Sequence, residues 1–261
     1  MVKIFENEQL VAEEIVKEML EGLTVSHPVF CLASGSTPAK GYELFSQSVK
    51  EKSVLKNLKI VSKLTSVSKL TLVRKLTIVS LDEWIDIDKT NPGSCYQMLN
   101  RDLFQKINLA DEQIIFYDGT TSDLEAECGR IDHFIEKHPI TFSLMGVGMN
   151  GHIGLNEPGF PVLDHSSVVE LSDITKEVAQ KYFDKETPLK QGITLGLKQI
   201  INSKRVIVVI TGEHKAKIVK EIFMNIDAKL PAQELLGYEH IDFYLDEAAA
   251  KYLDKELGRL E

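Results

Sequence analysis

Residues 144–159 of the chain have the sequence LMGVGMNGHIGLNEPG. The apolar run 142–145 predicts a buried strand, and four glycines follow it before position 155. Glycine permits sharp backbone turns and lets a ligand approach the backbone closely. The turn also places an imidazole and a carboxylate, His152 and Glu157, five residues apart. Ligands bind beyond the carboxyl ends of strands in open α/β sheets. The stretch therefore predicts a site at a strand end, although an isolated histidine in such a turn is more often structural.

Strand-like and helix-like segments alternate along the rest of the chain. Strands are predicted at 28–33, 77–81, 113–117, 141–145, 205–211 and 241–245. Helices are predicted after an Asn7 cap, over 38–49 and 94–106, and from about 247 onward. This alternation predicts an α/β fold with a mainly parallel, doubly wound sheet and helices on both faces. A linker sequence is lacking, so a single domain over 1–261 is expected.

Composition excludes several classes of function. The net charge is −9 and basic residues form no cluster, so nucleic acid is a poor candidate partner. The apolar runs are too short for a membrane span, and the N-terminus lacks a secretory signal. Cys31, Cys95 and Cys128 are widely spaced and predict reduced thiols in a cytoplasmic protein. An acidic protein that binds a small anion must concentrate positive potential locally, through a lysine or a helix N-terminus.

Residues 63–80 contain three near-copies of a hexapeptide, KLTSVS, KLTLVR and KLTIVS. Three hexads are too few for a self-supporting repeat architecture. We interpret the segment as a tandem insertion and expect it to form a surface excursion or a β-hairpin beside the strand that ends at Leu81, since loops tolerate insertions at small entropic cost.

A candidate phosphate site follows the first buried strand. Ser34, Gly35, Ser36 and Thr37 form a turn before Pro38, which suits the first position of a helix. Ser36 or Thr37 would cap that helix and leave free N–H groups facing the turn, an arrangement that binds phosphate. An ordinary capped helix start is the alternative. The sequence is neither a Walker A motif nor GxGxxG, so it does not indicate a nucleotide site.

Two other predicted strand ends carry residues that can transfer protons or bind an anion. Asp82 and Glu83 end a β-rich run, where a carboxylate can transfer protons. Adjacent side chains on a strand face opposite ways, so at most one of them points into the site. Lys215 follows the Thr-Gly turn 211–212 near a helix start, where it can reach an anion. The alternatives are a solvated acidic strand end and a surface lysine.

Six segments, in order along the chain, resemble the glucosamine/galactosamine-6-phosphate isomerase (deaminase) family, whose fold also serves 6-phosphogluconolactonases. The segments are 34–38, 81–84, 151–159, 192–196, 211–216 and 230–232. The resemblance covers nearly the whole chain except 63–80. Within the family, Trp84 and the segments 91–95 and 192–198 are most similar to galactosamine-6-phosphate isomerases.

The resemblance implies a reaction and a role for each site residue. A 2-amino-2-deoxyhexose 6-phosphate would be held by its phosphate in the turn 34–37 with Lys215. His152 would protonate the ring oxygen, Glu157 would orient His152, and Asp82 would move a proton between C2 and C1. The products would be a ketohexose 6-phosphate and ammonia, with no cofactor and no metal. Galactosamine 6-phosphate, giving tagatose 6-phosphate, is slightly preferred over glucosamine 6-phosphate, giving fructose 6-phosphate.

Two positions depart from the pattern of many family members. Asn150 stands where many members have aspartate. An amide can contact His152 but adds no charge, so we expect it to raise the pKa of the histidine less than an aspartate would. Lys181 stands nearest to a phosphate-binding arginine of some members, and a lysine lacks the bidentate fork of arginine.

Two alternative functions are lactone hydrolysis on the same fold and a non-catalytic sugar-phosphate sensor. Glu157 argues against the lactonase, because lactonases resemble this region but lack that carboxylate. Sensors of this kind carry a helix-turn-helix, and the residues before the first predicted strand are too few for one. Asp82, His152 and Glu157 together also favour catalysis. The sequence is compatible with a homo-oligomer but does not specify the oligomeric state.

Overall fold

The computed structural model describes residues 1–50 and 66–253. The described strands are β1 (Val2–Phe5), β2 (Val29–Leu32), β3 (Thr77–Val79), β4 (Asp82–Trp84), β5 (Ile114–Ile115), β6 (Phe142–Gly146), β7 (Ser167–Glu170), β8 (Gln191–Thr194), β9 (Val206–Ile210) and β10 (Ile241–Asp246). The described α-helices are α1 (Glu8–Gly22), α2 (Ser36–Lys50), α3 (Ser66–Val73), α4 (Cys95–Leu99), α5 (Gln105–Ile107), α6 (Leu124–Lys137), α7 (Asp173–Ala179), α8 (Leu197–Ile201) and α9 (Ala216–Met224). Within these residues, no helix is long and apolar enough to cross a membrane.

Seven strands form one parallel sheet in the order β1-β10-β9-β6-β2-β3-β5. Successive side chains of each strand point to opposite faces of the sheet, and an apolar cluster covers each face. Phe30 and Leu144 belong to one cluster, and Cys31 and Met145 to the other. The predicted α/β fold with a mainly parallel, doubly wound sheet is therefore confirmed.

The strand order creates a switch point between β2 and β6. From β2 the chain continues on one side through β3 and β5, and the later strands β6, β9 and β10 lie on the other side. Connections leave in opposite directions at such a point and open a crevice at the carboxyl ends of the strands. The turn after β2 and the glycine-rich loop after β6 both begin at this crevice.

A second, antiparallel sheet of three strands has the order β4-β8-β7. The chain leaves the main sheet after Val79 and enters β4 at Asp82, which pairs with Thr194 of β8. Asp82 therefore lies where the two sheets meet. The sequence does not predict this sheet, because β7 and β8 lack a continuous apolar run.

The described part of the repeat segment differs from the expected surface excursion or β-hairpin. Residues 66–73 form α3, and β3 pairs with β2 and β5 inside the main sheet. Val73 and Leu76 are buried in the apolar core. The expectation of a surface excursion or hairpin is wrong for residues 66–76, which form a helix and supply core residues. The strand predicted over 77–81 is confirmed as β3. Residues 63–65 lie outside the described residues.

The structure also differs from three of the helix predictions. Helix α2 begins at Ser36, so neither Ser36 nor Thr37 caps it, and Pro38 is its third residue. A proline fits there because the first-turn N–H groups have no partner within the helix. The helix predicted over 94–106 is divided by a π-helical turn at Asn100–Phe104. Residues 247–252 form turns, so the described residues do not contain the helix expected from 247.

Candidate active site

A cavity of about 340 Å³ lies at the switch point. Loops after β2, β6 and β9 line it together with β4 and α7. The predicted site residues that line it are Ser34, Ser36, Thr37, Asp82, His152, Lys181 and Lys215. Residues predicted from five separate stretches of sequence therefore meet at one cavity.

Asn150 connects His152 to Glu157 at the inner side of this cavity. The side-chain oxygen of Asn150 lies 2.7 Å from Nδ1 of His152, and its amide nitrogen donates to Oε2 of Glu157 at 2.7 Å. An amide oxygen cannot donate, so Nδ1 of His152 carries a proton and donates to it. In the neutral imidazole, Nε2 is then the proton acceptor. The direct distance from Nδ1 to Oε2 of Glu157 is 3.7 Å, so the carboxylate is also close enough to act on the imidazole through its charge.

The glycines of this loop create the space that the imidazole occupies. A Cβ atom on Gly148 would lie 2.1 Å from Cε1 of His152, so the ring packs directly against the Gly148 backbone. Gly151 has a φ of +85°, which favours glycine. Asn156 donates to the backbone carbonyls of Ile153 and Leu195, both at 2.9 Å, and fixes the loop between the two functional side chains.

The surroundings of His152 lower the pKa of its imidazole. Burial disfavours the charged ring, and the positive charge of Lys215 acts in the same direction. The carboxylate of Glu157 raises the pKa, but it does not compensate for burial. His152 is therefore neutral near pH 7, which suits a group that first accepts a proton.

The adjacent carboxylates of β4 face opposite ways. Asp82 lines the cavity, and burial raises the pKa of its carboxyl to about 6. Glu83 points to the start of α4, where it accepts backbone N–H groups of Trp84, Cys95 and Tyr96, each at 2.9 Å. Burial raises the pKa of Glu83 to about 7, against the effect of these donors. The pair thus divides into one group with access to a ligand and one that anchors a helix.

Two lysines supply positive charge to the cavity. Lys215 is buried and its Nζ donates to the carbonyl of Val147 at 2.6 Å, which joins the loops after β9 and β6. Burial and the neighbouring charge of Lys181 lower the pKa of Lys215 to about 8. Lys181 is exposed and also lines the cavity. Gly35, with a φ of +95°, turns the chain from β2 into α2 beside them.

The sequence analysis missed two hydroxyl residues of this network. Ser172 caps α7 by accepting the N–H of Thr175, and it also accepts from the amide of Asn150 at 3.1 Å. The hydroxyl of Thr175 lies 3.2 Å from Nδ1 of His152. A serine before a short polar helix is a recognisable N-cap signal. Nothing in the sequence, however, indicates that this cap contacts a loop more than twenty residues earlier.

Comparison with known proteins establishes the family. The profile of glucosamine-6-phosphate isomerases/6-phosphogluconolactonase matches residues 6–241. The chain belongs to this family. The resemblance found in the sequence is therefore confirmed.

Family members with assigned names cover most of the chain. A glucosamine-6-phosphate deaminase of Streptococcus equi subsp. zooepidemicus (strain H70) is 34% identical over 248 residues, which are 94% of each chain. One from Listeria monocytogenes serotype 4b (strain CLIP80459) is 32% identical over 224 residues, 85% of this chain and 86% of that protein.

Solved structures of family members share the fold. A monomeric glucosamine-6-phosphate deaminase matches with a TM-score of 0.82 and 27% identity, over 96% of this chain and 98% of that chain. The 6-phosphogluconolactonase from Leishmania guyanensis matches with a TM-score of 0.72 and 18% identity, over 97% and 98%. The second likeness concerns the fold alone.

Proposed function

We propose that the protein is a hexosamine-6-phosphate deaminase, which converts a 2-amino-2-deoxyhexose 6-phosphate to a ketohexose 6-phosphate and ammonia. The observation that carries the proposal is the cavity itself. It combines a neutral histidine linked to a buried carboxylate, a second carboxylate on β4, and two lysines. The names of the relatives support the same reaction.

His152 opens the sugar ring in this proposal. Its unprotonated Nε2 takes the proton of the anomeric hydroxyl and returns it to the ring oxygen, which gives the open-chain aldehyde. Between the two proton transfers the side chain of His152 is an imidazolium. The side-chain oxygen of Asn150 accepts the hydrogen bond from Nδ1 of His152 in both the neutral and the charged state of the imidazole. The charge of Glu157 stabilises the imidazolium.

Asp82 carries out the isomerisation. Its carboxylate removes the C2 proton of the open-chain aldehyde, and O1 takes a proton from the substrate's C2 ammonium group, which gives a neutral enolamine. Asp82 then delivers its proton to C1. The resulting C2 iminium adds water and loses ammonia, which leaves a C2 ketone. With a pKa of about 6, the carboxyl of Asp82 is mostly ionised near neutral pH. Because this pKa is close to the working pH, the protonated form can also return the proton to the substrate.

The phosphate occupies the end of the cavity formed by residues 34–37, Lys215 and Lys181. The first-turn N–H groups of α2 are free of intrahelical partners and favour an anion. Lys215 provides a buried charge at a fixed position, and Lys181 adds a second, more exposed one. Binding the phosphate there orients the sugar toward His152 and Asp82.

The choice between the two hexosamines depends on contacts at C4. The relatives' names support glucosamine 6-phosphate as a substrate. The preference for galactosamine 6-phosphate stays a prediction from the sequence, and of the residues that suggested it, Trp84 and Cys95 line the cavity. One or two hydrogen bonds at C4 would decide the preference.

Two assays on the same preparation test the proposal. We expect ammonia and a ketohexose 6-phosphate from at least one of the two hexosamine 6-phosphates, and no hydrolysis of 6-phosphogluconolactone above the spontaneous rate. Lactone hydrolysis without ammonia release would replace the proposal with the lactonase alternative. Binding of either sugar phosphate with neither reaction would replace it with the sensor.

A further inference from the structure

Tyr182 places its hydroxyl against the turn proposed to hold the phosphate. It is the last residue of the 3₁₀ turn Gln180–Tyr182, which follows α7, and it lines the cavity. Its hydroxyl oxygen lies 2.8 Å from the position that a Cβ atom on Gly35 would take. Because Gly35 has no side chain, the hydroxyl can lie directly against the backbone of the turn 34–37. The segment after α7 and the turn after β2 therefore meet at this hydroxyl.

Two contacts hold the ring of Tyr182 in this place. The ring is half-buried and packs against the apolar cluster that contains Trp84, Met98 and Ala179. The Nζ atom of Lys181 lies 4.9 Å from the centroid of the ring, within the range of a cation–π contact. Packing therefore positions the ring, and the ring keeps the ammonium group of Lys181 beside it.

The hydroxyl of Tyr182 is available to a ligand. Within residues 1–50 and 66–253 it makes no hydrogen bond to another protein group. By contrast, the hydroxyl of Tyr42 donates to the carbonyl of Ala33 at 2.7 Å, and that of Tyr117 donates to the hydroxyl of Ser166 at 2.6 Å. A phenol hydroxyl is a hydrogen-bond donor, and a phosphate oxygen is a strong acceptor for it.

We propose that Tyr182 is a further substrate-binding residue, whose hydroxyl donates to a phosphate oxygen of the substrate held in the turn 34–37. The inference rests on the proposed function, since it adds a ligand to the phosphate site of the same cavity. A lysine supplies a point charge without the two parallel donors of an arginine. Lys181 and Tyr182 together supply a charge and a second donor from adjacent residues.

The first test is Tyr182→Phe, which keeps the ring, its packing and its contact with Lys181 and removes only the hydroxyl. We expect KM to rise about 5- to 20-fold while kcat stays within about 2-fold, because the phosphate is bound equally in the ground state and the transition state. The inhibition constant of inorganic phosphate, a competitive inhibitor at this site, should rise by the same factor. Tyr252→Phe is the matched control, since Lys251 also lies over the Tyr252 ring, at 5.7 Å, and Tyr252 does not line the cavity. An unchanged inhibition constant in Tyr182→Phe would overturn the proposal, even with a raised KM, because the hydroxyl would then contact another part of the sugar.

The second test needs no turnover. The protein is labelled with tyrosine that carries ¹³C at Cζ, and the NMR signal that is missing in Tyr182→Phe belongs to Tyr182. We expect this signal to shift in a saturable way when inorganic phosphate is added, and to stay in place with sodium chloride of the same ionic strength. The signal of Tyr252 should respond to neither salt. A Tyr182 signal that phosphate does not move would refute the inference. If the parent releases no ammonia from either sugar, the proposed function fails, and the signal still decides whether Tyr182 binds phosphate.

Discussion

The side-chain oxygen of Asn150 lies 2.7 Å from Nδ1 of His152, and its amide nitrogen donates to Glu157 over the same distance. The amide therefore fixes the tautomer of the imidazole and holds the carboxylate of Glu157 near it. The orientation of the amide is determined as well, because a carboxylate accepts only from its N–H side. This geometry leads to opposite predictions for changes at the two residues.

Glu157→Gln should lower the pKa of His152, and Asn150→Asp should raise it. The first change removes a negative charge that stabilises the imidazolium, while a glutamine oxygen can still accept from Asn150. The second change adds a carboxylate beside Nδ1. The pKa of His152 is measured by NMR titration of the imidazole in each variant. Titration curves that overlay the parent curve would exclude the contact through Asn150.

Gly148→Ala should remove most of the activity while the protein still folds. The added Cβ would lie 2.1 Å from Cε1 of His152, so the ring must leave its position. We expect kcat to fall by at least about 100-fold, the scale of lost acid–base catalysis. Gly129→Ala is the control, because a Cβ there meets nothing within 4 Å and lies in helix α6. A Gly148→Ala enzyme with parent kcat would show that the ring position is not required.

Asp82→Asn should lower the activity of the protein and raise its free energy of unfolding at neutral to alkaline pH. The folded-state pKa of about 6 lies above the usual 3.8, so the ionised carboxylate destabilises the fold above about pH 6, and this cost disappears below about pH 4. Removing the charge should raise the free energy of unfolding at pH 8 by up to about 3 kcal/mol and change it little at pH 4. Urea unfolding at both pH values measures this. Equal effects at the two pH values would contradict a buried, ionised Asp82.

Loss of the Lys215 charge should weaken substrate binding. Since burial and Lys181 lower the pKa of Lys215 to about 8, KM should rise as the pH increases through that value. Lys215→Ala should raise KM at least about tenfold at pH 7 and abolish this rise. Lys217→Ala, an exposed lysine at the start of α9, is the control. An unchanged KM in Lys215→Ala would place the phosphate elsewhere.

The apolar strands and the capped first helix were accessible from sequence because their signals are local. Asn7 accepts the N–H of Leu10 as its cap, as predicted. The runs around Phe142 and Val208 form the interior strands β6 and β9. Strand β1 and the three-stranded sheet were missed, since their stability depends on pairing with distant segments.

The candidate site was only partly accessible for the same reason. Sequence motifs pointed to His152, Glu157, Asp82 and Lys215, each of which follows a predicted strand. The bridging role of Asn150 and the cap contact of Ser172 depend on how separate loops meet. Such contacts leave no periodic pattern in the sequence.

Ammonia release by the parent and three variants decides whether the protein is a hexosamine-6-phosphate deaminase that uses His152, Glu157 and Asp82. Glucosamine 6-phosphate and galactosamine 6-phosphate are each offered to the parent, His152→Ala, Glu157→Ala and Asp82→Asn. We expect ammonia from at least one sugar with the parent and a loss of activity of at least about 100-fold in each variant. No ammonia from either sugar, or full activity in all three variants, would contradict this assignment.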